Sequence, residues 1–196
     1  TLATNLENLI LTGTLAINGT GNAFNNVLTG NNAANILTGG DGNDSIYGGI
    51  GNDLIIGGMG SDYLDGGDGV DTVSYLTSAA FVSIDLAANS YWNGEASWDL
   101  IVNVENVIGS NYNDWIVGNA LDNALTGGLG LDALTGGAGN DTLDAGAGDD
   151  QLIGGEGDDL LIGGAGSDLL DGGNGIDTVS YAGSSLWVNV DLANNN

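Results

Sequence analysis

No lysine, arginine or histidine occurs in the 196 residues, against 26 aspartates and glutamates, so the formal net charge is −26. Side-chain ion pairs are therefore excluded. Nucleic acid and membrane insertion are disfavoured on the same ground, since nucleic acid and anionic lipid surfaces are held by cationic side chains. Cysteine is also absent, which removes disulfides and, with histidine missing, the thiolate and imidazole ligands that zinc and copper prefer. An enzyme would have to work with carboxylates alone. A glycosidase-like pair such as Asp85 with Glu95 is conceivable, but solvated loop carboxylates are the plainer reading and the chain is expected to be non-enzymatic. Proline is missing too. There is no apolar run of about 18 residues and no basic leader before an apolar stretch, hence neither a membrane span nor a cleavable signal peptide is in view. Thr1 stands where an initiating methionine would, and the chain is expected to be a fragment or a processed product.

What the sequence has in abundance is glycine, 37 residues of it, set in a period of nine. From Gly127 to Ser180 one phrase is written six times, as GGLGLDALT, GGAGNDTLD, AGAGDDQLI, GGEGDDLLI, GGAGSDLLD and GGNGIDTVS. From Gly39 to Ser74 it is written four times, as GGDGNDSIY, GGIGNDLII, GGMGSDYLD and GGDGVDTVS. So short a period specifies a coiled stack of small units. Glycines at the first, second and fourth places free the backbone to aim its carbonyls inward. The sixth place is always aspartate, and an anionic, all-oxygen environment suits a hard cation such as calcium. The seventh to ninth places read as a short strand whose eighth residue, always aliphatic, turns to one face. A phosphate-binding loop would need lysine where these loops carry aspartate. A calcium loop of the helix-loop-helix kind would need twelve residues and a terminal glutamate.

These phrases resemble the RTX, or haemolysin-type, calcium-binding nonapeptide repeats of secreted bacterial proteins. The resemblance implies an all-β fold, a right-handed parallel β-roll with two nonapeptides per coil and calcium held between loops stacked along each edge. It further implies that the second and fourth residues of a loop offer backbone carbonyls and the sixth its carboxylate. In the first block these are Gly40, Gly42, Asp44, Gly49, Gly51, Asp53, Gly58, Gly60, Asp62, Gly67, Gly69 and Asp71. In the second they are Gly128, Gly130, Asp132, Gly137, Gly139, Asp141, Gly146, Gly148, Asp150, Gly155, Gly157, Asp159, Gly164, Gly166, Asp168, Gly173, Gly175 and Asp177. Loops two repeats apart would enclose one site, the 39 loop with the 57 loop and the 48 loop with the 66 loop. Counted through both blocks, that arrangement predicts about six calcium ions, with a few more at degenerate margins.

Outside the blocks the period weakens. Gly21, Gly30 and Gly39 keep the step of nine, but Asn26 and Asn35 stand where aspartate is wanted, and coils 13–38 are read as free of cations; 109–126 is read as degenerate likewise. Between the blocks, Phe81 to Leu86 alternates as a half-buried strand with Val82, Ile84 and Leu86 on one face, and Leu100 to Ile108 reads as a further strand. SYWNGEASW between them reads as a polar, aromatic loop. Thr1 to Leu11 matches Asp99 to Gly109, and the DTVSY motif with its V-x-[IV]-DLA sequel occurs at Asp71 to Ala87 and again at Asp177 to Ala193. The chain thus divides into two RTX units, 1–98 and 99–196, expected to form one continuous roll with a third unit open to follow. In 1–98, coils 13–38 are degenerate, 39–74 carry calcium repeats and 75–98 are connecting strands. In 99–196 the same parts are 109–126, 127–180 and 181–196.

Trp92, Trp98, Trp115 and Trp187 are open to two readings, a carbohydrate-stacking surface or a cover for the core. Place-seven Leu54, Tyr63, Leu160 and Leu169 are open to packing against other copies or further repeats of the protein. Thr29, Thr38, Thr126 and Thr135 share the ninth place, but residues 18 positions on are Tyr47, Ile56, Asp144 and Ile153, so no threonine ladder is expected. The function implied by the resemblance is a calcium-binding module, extracellular or at the cell surface, that folds on external calcium after type I secretion. Two alternatives stay open at this point: a stretch of a long adhesin, surface-layer or filament protein, and an accessory domain of an exoenzyme.

Overall fold

The computed structural model describes residues 1–182; the 183–196 part of the expected last connecting strand, Trp187 included, lies outside them. Strands are short and almost all parallel, paired at a spacing of 18 residues: Leu28 lies beside Ile46, Ile46 beside Leu64, and Leu134 beside Leu152. Two nonapeptides therefore make one coil of a parallel β-roll, as the repeat implied. One face carries a nine-stranded sheet that runs from Gly19–Thr20 to Thr178–Val179. The other face carries a five-stranded and a six-stranded sheet. Thr38 pairs with Ile56 and Thr126 with Asp144, so the threonines form no ladder. No helix among the described residues is long and apolar enough to cross a membrane. Gly94–Ala96 is a 3-10 turn.

The core is a row of place-eight side chains: Leu28, Leu37, Ile46, Ile55, Leu64 and Val73 are fully buried, and Leu125, Leu134, Leu143, Leu152 and Leu161 continue the row. Between them Val82, Ile84, Ile101, Val107 and Ile116 fill the same cluster. Each such side chain contributes about 1.5–3 kcal/mol of burial, and among the described residues they form a single core cluster. Truncating one inner residue leaves a cavity with neighbours fixed above and below. Leu143→Ala is accordingly expected to destabilise the folded protein by about 2–5 kcal/mol, read as a lower midpoint in urea at fixed calcium. An unchanged midpoint would mean that the row is not the core.

Where the next loop is a full repeat, most strands exceed the three residues of the seventh to ninth places, Leu160–Ile162 being an exception. Ser45–Ile50 and Leu54–Met59 run six residues, through the first three places of the next loop, and Gly40 pairs with Gly58 in register. Before a degenerate loop they keep only three, as in Val27–Thr29 and Trp115–Val117. The junction between blocks also departs from the sequence reading. Leu100 to Ile108 is two strands, Leu100–Val102 in the five-stranded sheet and Asn106–Ile108 in the nine-stranded one. Asn103, at a left-handed φ of 52°, turns the chain between them. The expected loop contains the strand Ser90–Trp92, antiparallel to Ser83–Asp85. There the five- and six-stranded sheets meet: the Tyr91 hydroxyl donates to the Ile101 carbonyl at 3.0 Å, and burial pushes that phenol up to about 12.

Candidate metal centres

Each repeat loop is shaped by what its glycines leave open. At Gly58 φ is 99° and a Cβ would overlap the Gly40 carbonyl oxygen of the coil before. Gly60 stands in the same relation to the Gly42 carbonyl. At the first place the obstacle is different: a Cβ on Gly39 would meet both the Asp44 carboxylate of its own loop and, at 2.5 Å, the Gly57 carbonyl oxygen of the next coil. Carboxylate and main-chain oxygens thus converge on the gap between loops 18 residues apart. Gly48 repeats this with Asp53 and Gly66, and Gly154 with Asp159 and Gly172.

The sixth-place aspartates form two-sided ladders. One oxygen of each accepts the backbone N–H of its counterpart a coil earlier: Asp44 donates to Asp62 at 2.8 Å, Asp53 to Asp71 at 2.7 Å, Asp132 to Asp150 at 2.7 Å and Asp141 to Asp159 at 2.8 Å. Asp150 and Asp159 donate in turn to Asp168 and Asp177, each at 3.1 Å. The other oxygen, Oδ2, is buried and has no hydrogen-bond partner in Asp44, Asp53, Asp62, Asp71, Asp132, Asp141, Asp150 and Asp159. A buried acceptor left without a donor costs about 1–3 kcal/mol, and more when charged. Burial raises the carboxyls of Asp44, Asp53, Asp62, Asp71, Asp132, Asp141 and Asp150, with neighbouring carboxylates adding to it in several and the backbone N–H bond opposing it. Asp44, Asp62, Asp71 and Asp141 lie at about 6 and Asp132 at about 7, and Asp53 and Asp150 also move up.

The neutral loops satisfy the same position without a cation. Asn26 and Asn35 accept at Oδ1 from the backbone N–H of Asn22 (2.7 Å) and Asn31 (2.9 Å) at the second place of their own loops. The Asn35 amide then donates to the Ile17 carbonyl at 2.7 Å, and Asn123 does the same to the Glu105 carbonyl. A second-place residue in ordinary backbone conformation gives its N–H to the sixth-place side chain. A second-place glycine at positive φ does not, and the carboxylate stays open.

Three acidic residues that the sequence reading passed over belong to these ladders. Asp114 accepts from Val82 N–H at 2.7 Å, yet its carboxylate is closed by the Ser110 N–H and by the Ser110 hydroxyl at 2.7 Å. Its place five residues after Gly109 matches Asp44 after Gly39, so spacing could have found it. Asp99 and Glu105 could not be found that way: they accept from Asp62 and Asp71 across separations of 37 and 34 residues. Asp99 also takes the Tyr75 hydroxyl at 2.8 Å, and its carboxyl sits at about 7, raised by burial. Asp85 and Glu95 have separate partners, the Ala88 N–H and the Thr77 hydroxyl. Trp92, Trp98 and Trp115 are exposed.

Among the described residues no three acidic side chains gather at one point. A cation here must therefore draw on the main chain, and the orphaned Oδ2 atoms beside facing carbonyls form an oxygen-only donor set of the kind calcium takes. The sequence pattern of the RTX calcium-binding nonapeptide repeat matches the chain in four copies, over residues 20–55, 38–73, 108–143 and 144–179. No curated protein matches it. The matched segments make up more than half of the chain, and its repeats are of a calcium-binding kind found typically in secreted bacterial proteins: the chain belongs to the RTX calcium-binding nonapeptide-repeat family.

Proposed function

We propose that this chain is the calcium-stapled β-roll of a secreted bacterial protein, exported unfolded by a type I route and folded by calcium outside the cell. The observation that carries this reading is the row of eight buried aspartate oxygens with no partner. Calcium supplies the positive charge and the high oxygen coordination that such atoms lack. The chain supplies the rest. The second- and fourth-place glycines offer carbonyls, the sixth-place aspartates bridge successive coils, and the strands fix the spacing. About six ions follow from loops paired one coil apart. Units 1–98 and 99–196 act as one roll, a reading supported by the nine-stranded sheet that passes through both.

Counting ions on the folded protein by native mass spectrometry tests this. Asp159→Ala is expected to remove one or two ions and to raise the calcium midpoint several-fold, because Asp159 is bonded to both Asp141 and Asp177. Asn26→Ala removes an amide that closes its own loop and is expected to keep the full count. Equal losses from both variants would refute the division into open and closed loops. No bound calcium in the wild-type chain would refute the function.

A further inference from the structure

We propose a further calcium site at the junction of the two blocks, between the Gly66 to Asp71 loop and the shortened turn Asn103 to Glu105. The proposal rests on the reading of the repeat loops as calcium sites and extends it to a place without a repeat. In a full repeat six residues separate one strand triad from the next, as between Asp65 and Thr72; between Leu100–Val102 and Asn106–Ile108 there are three. The shortened turn borders a cavity of about 270 Å³, lined by Gly67, Leu86, Tyr91, Asn103, Val104 and Glu105 among others but not by Gly66 or Asp71.

The features of an ordinary loop pair persist across this turn although the sequence motif does not. A Cβ on Gly66 would overlap the Asn103 carbonyl oxygen and meet Asp71 Oδ2 at 2.6 Å, just as one on Gly48 meets the Gly66 carbonyl and Asp53. Asp71 Oδ2 is fully buried and unpartnered. Glu105 takes the place of the next aspartate, accepting the Asp71 N–H at 2.8 Å, with the longer side chain making up for the shorter turn. Asn103 is held in its left-handed conformation while its side chain donates to Asp65 at 2.8 Å, which fixes its carbonyl toward Gly66. The opposite edge lacks this arrangement. The three atoms nearest to a Cβ on Gly57 all belong to Asp62, and the second oxygen of Asp99 above it is occupied by the Tyr75 hydroxyl. One edge of the stack therefore continues through the junction and the other stops at a phenol.

Calcium-saturated full-length protein, counted by native mass spectrometry, tests the site. Glu105→Gln keeps an acceptor for the Asp71 N–H but removes the charge, and Glu105→Asp keeps the charge but shortens the reach; each is expected to bind one ion fewer than wild type. Glu95→Gln, on the edge that stops, is expected to retain the full count. Crystals of the wild-type chain loaded with terbium provide a measurement independent of any variant, with an anomalous peak expected between Asp71 and Glu105. An unchanged ion count in both Glu105 variants, the loss of an ion in Glu95→Gln, or no peak at the junction when repeat loops are filled would overturn the proposal. Empty repeat loops would instead overturn the reading on which it rests.

Discussion

In excess chelator at pH 7.5 the chain is expected to give the circular dichroism spectrum of a disordered polypeptide, and calcium to restore a β-rich spectrum in one steep step. The metal-free roll would have to hold eight partnerless aspartate oxygens out of water. Carboxylates on successive coils, about 5 Å apart, repel by about 1–3 kcal/mol per neighbouring pair at effective dielectrics between protein surface and water. No lysine, arginine or histidine is present to relieve them. The 37 glycines each raise the entropy cost of folding by about 0.5–1 kcal/mol relative to alanine. Calcium reverses this, since a ligand bound only by the folded state adds about 2.7 kcal/mol per site at a hundred times its dissociation constant. Steepness follows because inner aspartates are bonded to the coils on both sides, so filling one gap orders the next. Magnesium is expected to substitute poorly, as it gives up water reluctantly and demands a near-ideal octahedron. A β-rich spectrum in chelator at pH 7.5 would refute the argument from charge.

The sixth and eighth places were legible in the sequence because each carries its chemistry in one residue type at a fixed step. Aspartate marks the ladder and an aliphatic marks the core, from Asp44 and Ile46 to Asp159 and Leu161. The state of each loop was legible only in part. Asn26 and Asn35 gave away their neutrality, but the reason it suffices lies in backbone N–H groups from Asn22 and Asn31 that composition does not display. Asp114 shows the limit of reading by residue type: it is a sixth-place aspartate closed by Ser110. At the junction the period fails altogether. Ladders pass through Asp99 and Glu105 by virtue of coil geometry, and the joint between two sheets depends on the Tyr91 hydroxyl reaching the Ile101 carbonyl. Contacts set by three-dimensional stacking across insertions leave no regular spacing to read.

Acid is expected to replace calcium in part, with a sign opposite to that of ordinary acid denaturation. In the metal-free fold Asp44, Asp62, Asp71 and Asp141 take up protons at about pH 6 and Asp132 at about 7, against 3.8 when unfolded. The shift is upward because burial penalises the ionised form. Between about pH 4 and 7 the folded, metal-free chain therefore binds more protons than the unfolded chain, and its stability falls as pH rises. Protonation gives each of these five carboxyls a hydroxyl that can donate, and it removes the repulsion between coils. In chelator the β-sheet signal is expected to be greatest near pH 4.5 and to vanish by pH 7.5, measured at low protein concentration with sedimentation to exclude aggregates. The calcium-loaded roll should respond in the other direction. There the cation holds the carboxylates ionised, so loaded structure persists from pH 8 down to about 5 and is lost as protons compete at lower pH. A chelated chain equally disordered at pH 4.5 and 7.5, or more ordered at the higher pH, would show that the buried aspartates do not govern the metal-free state.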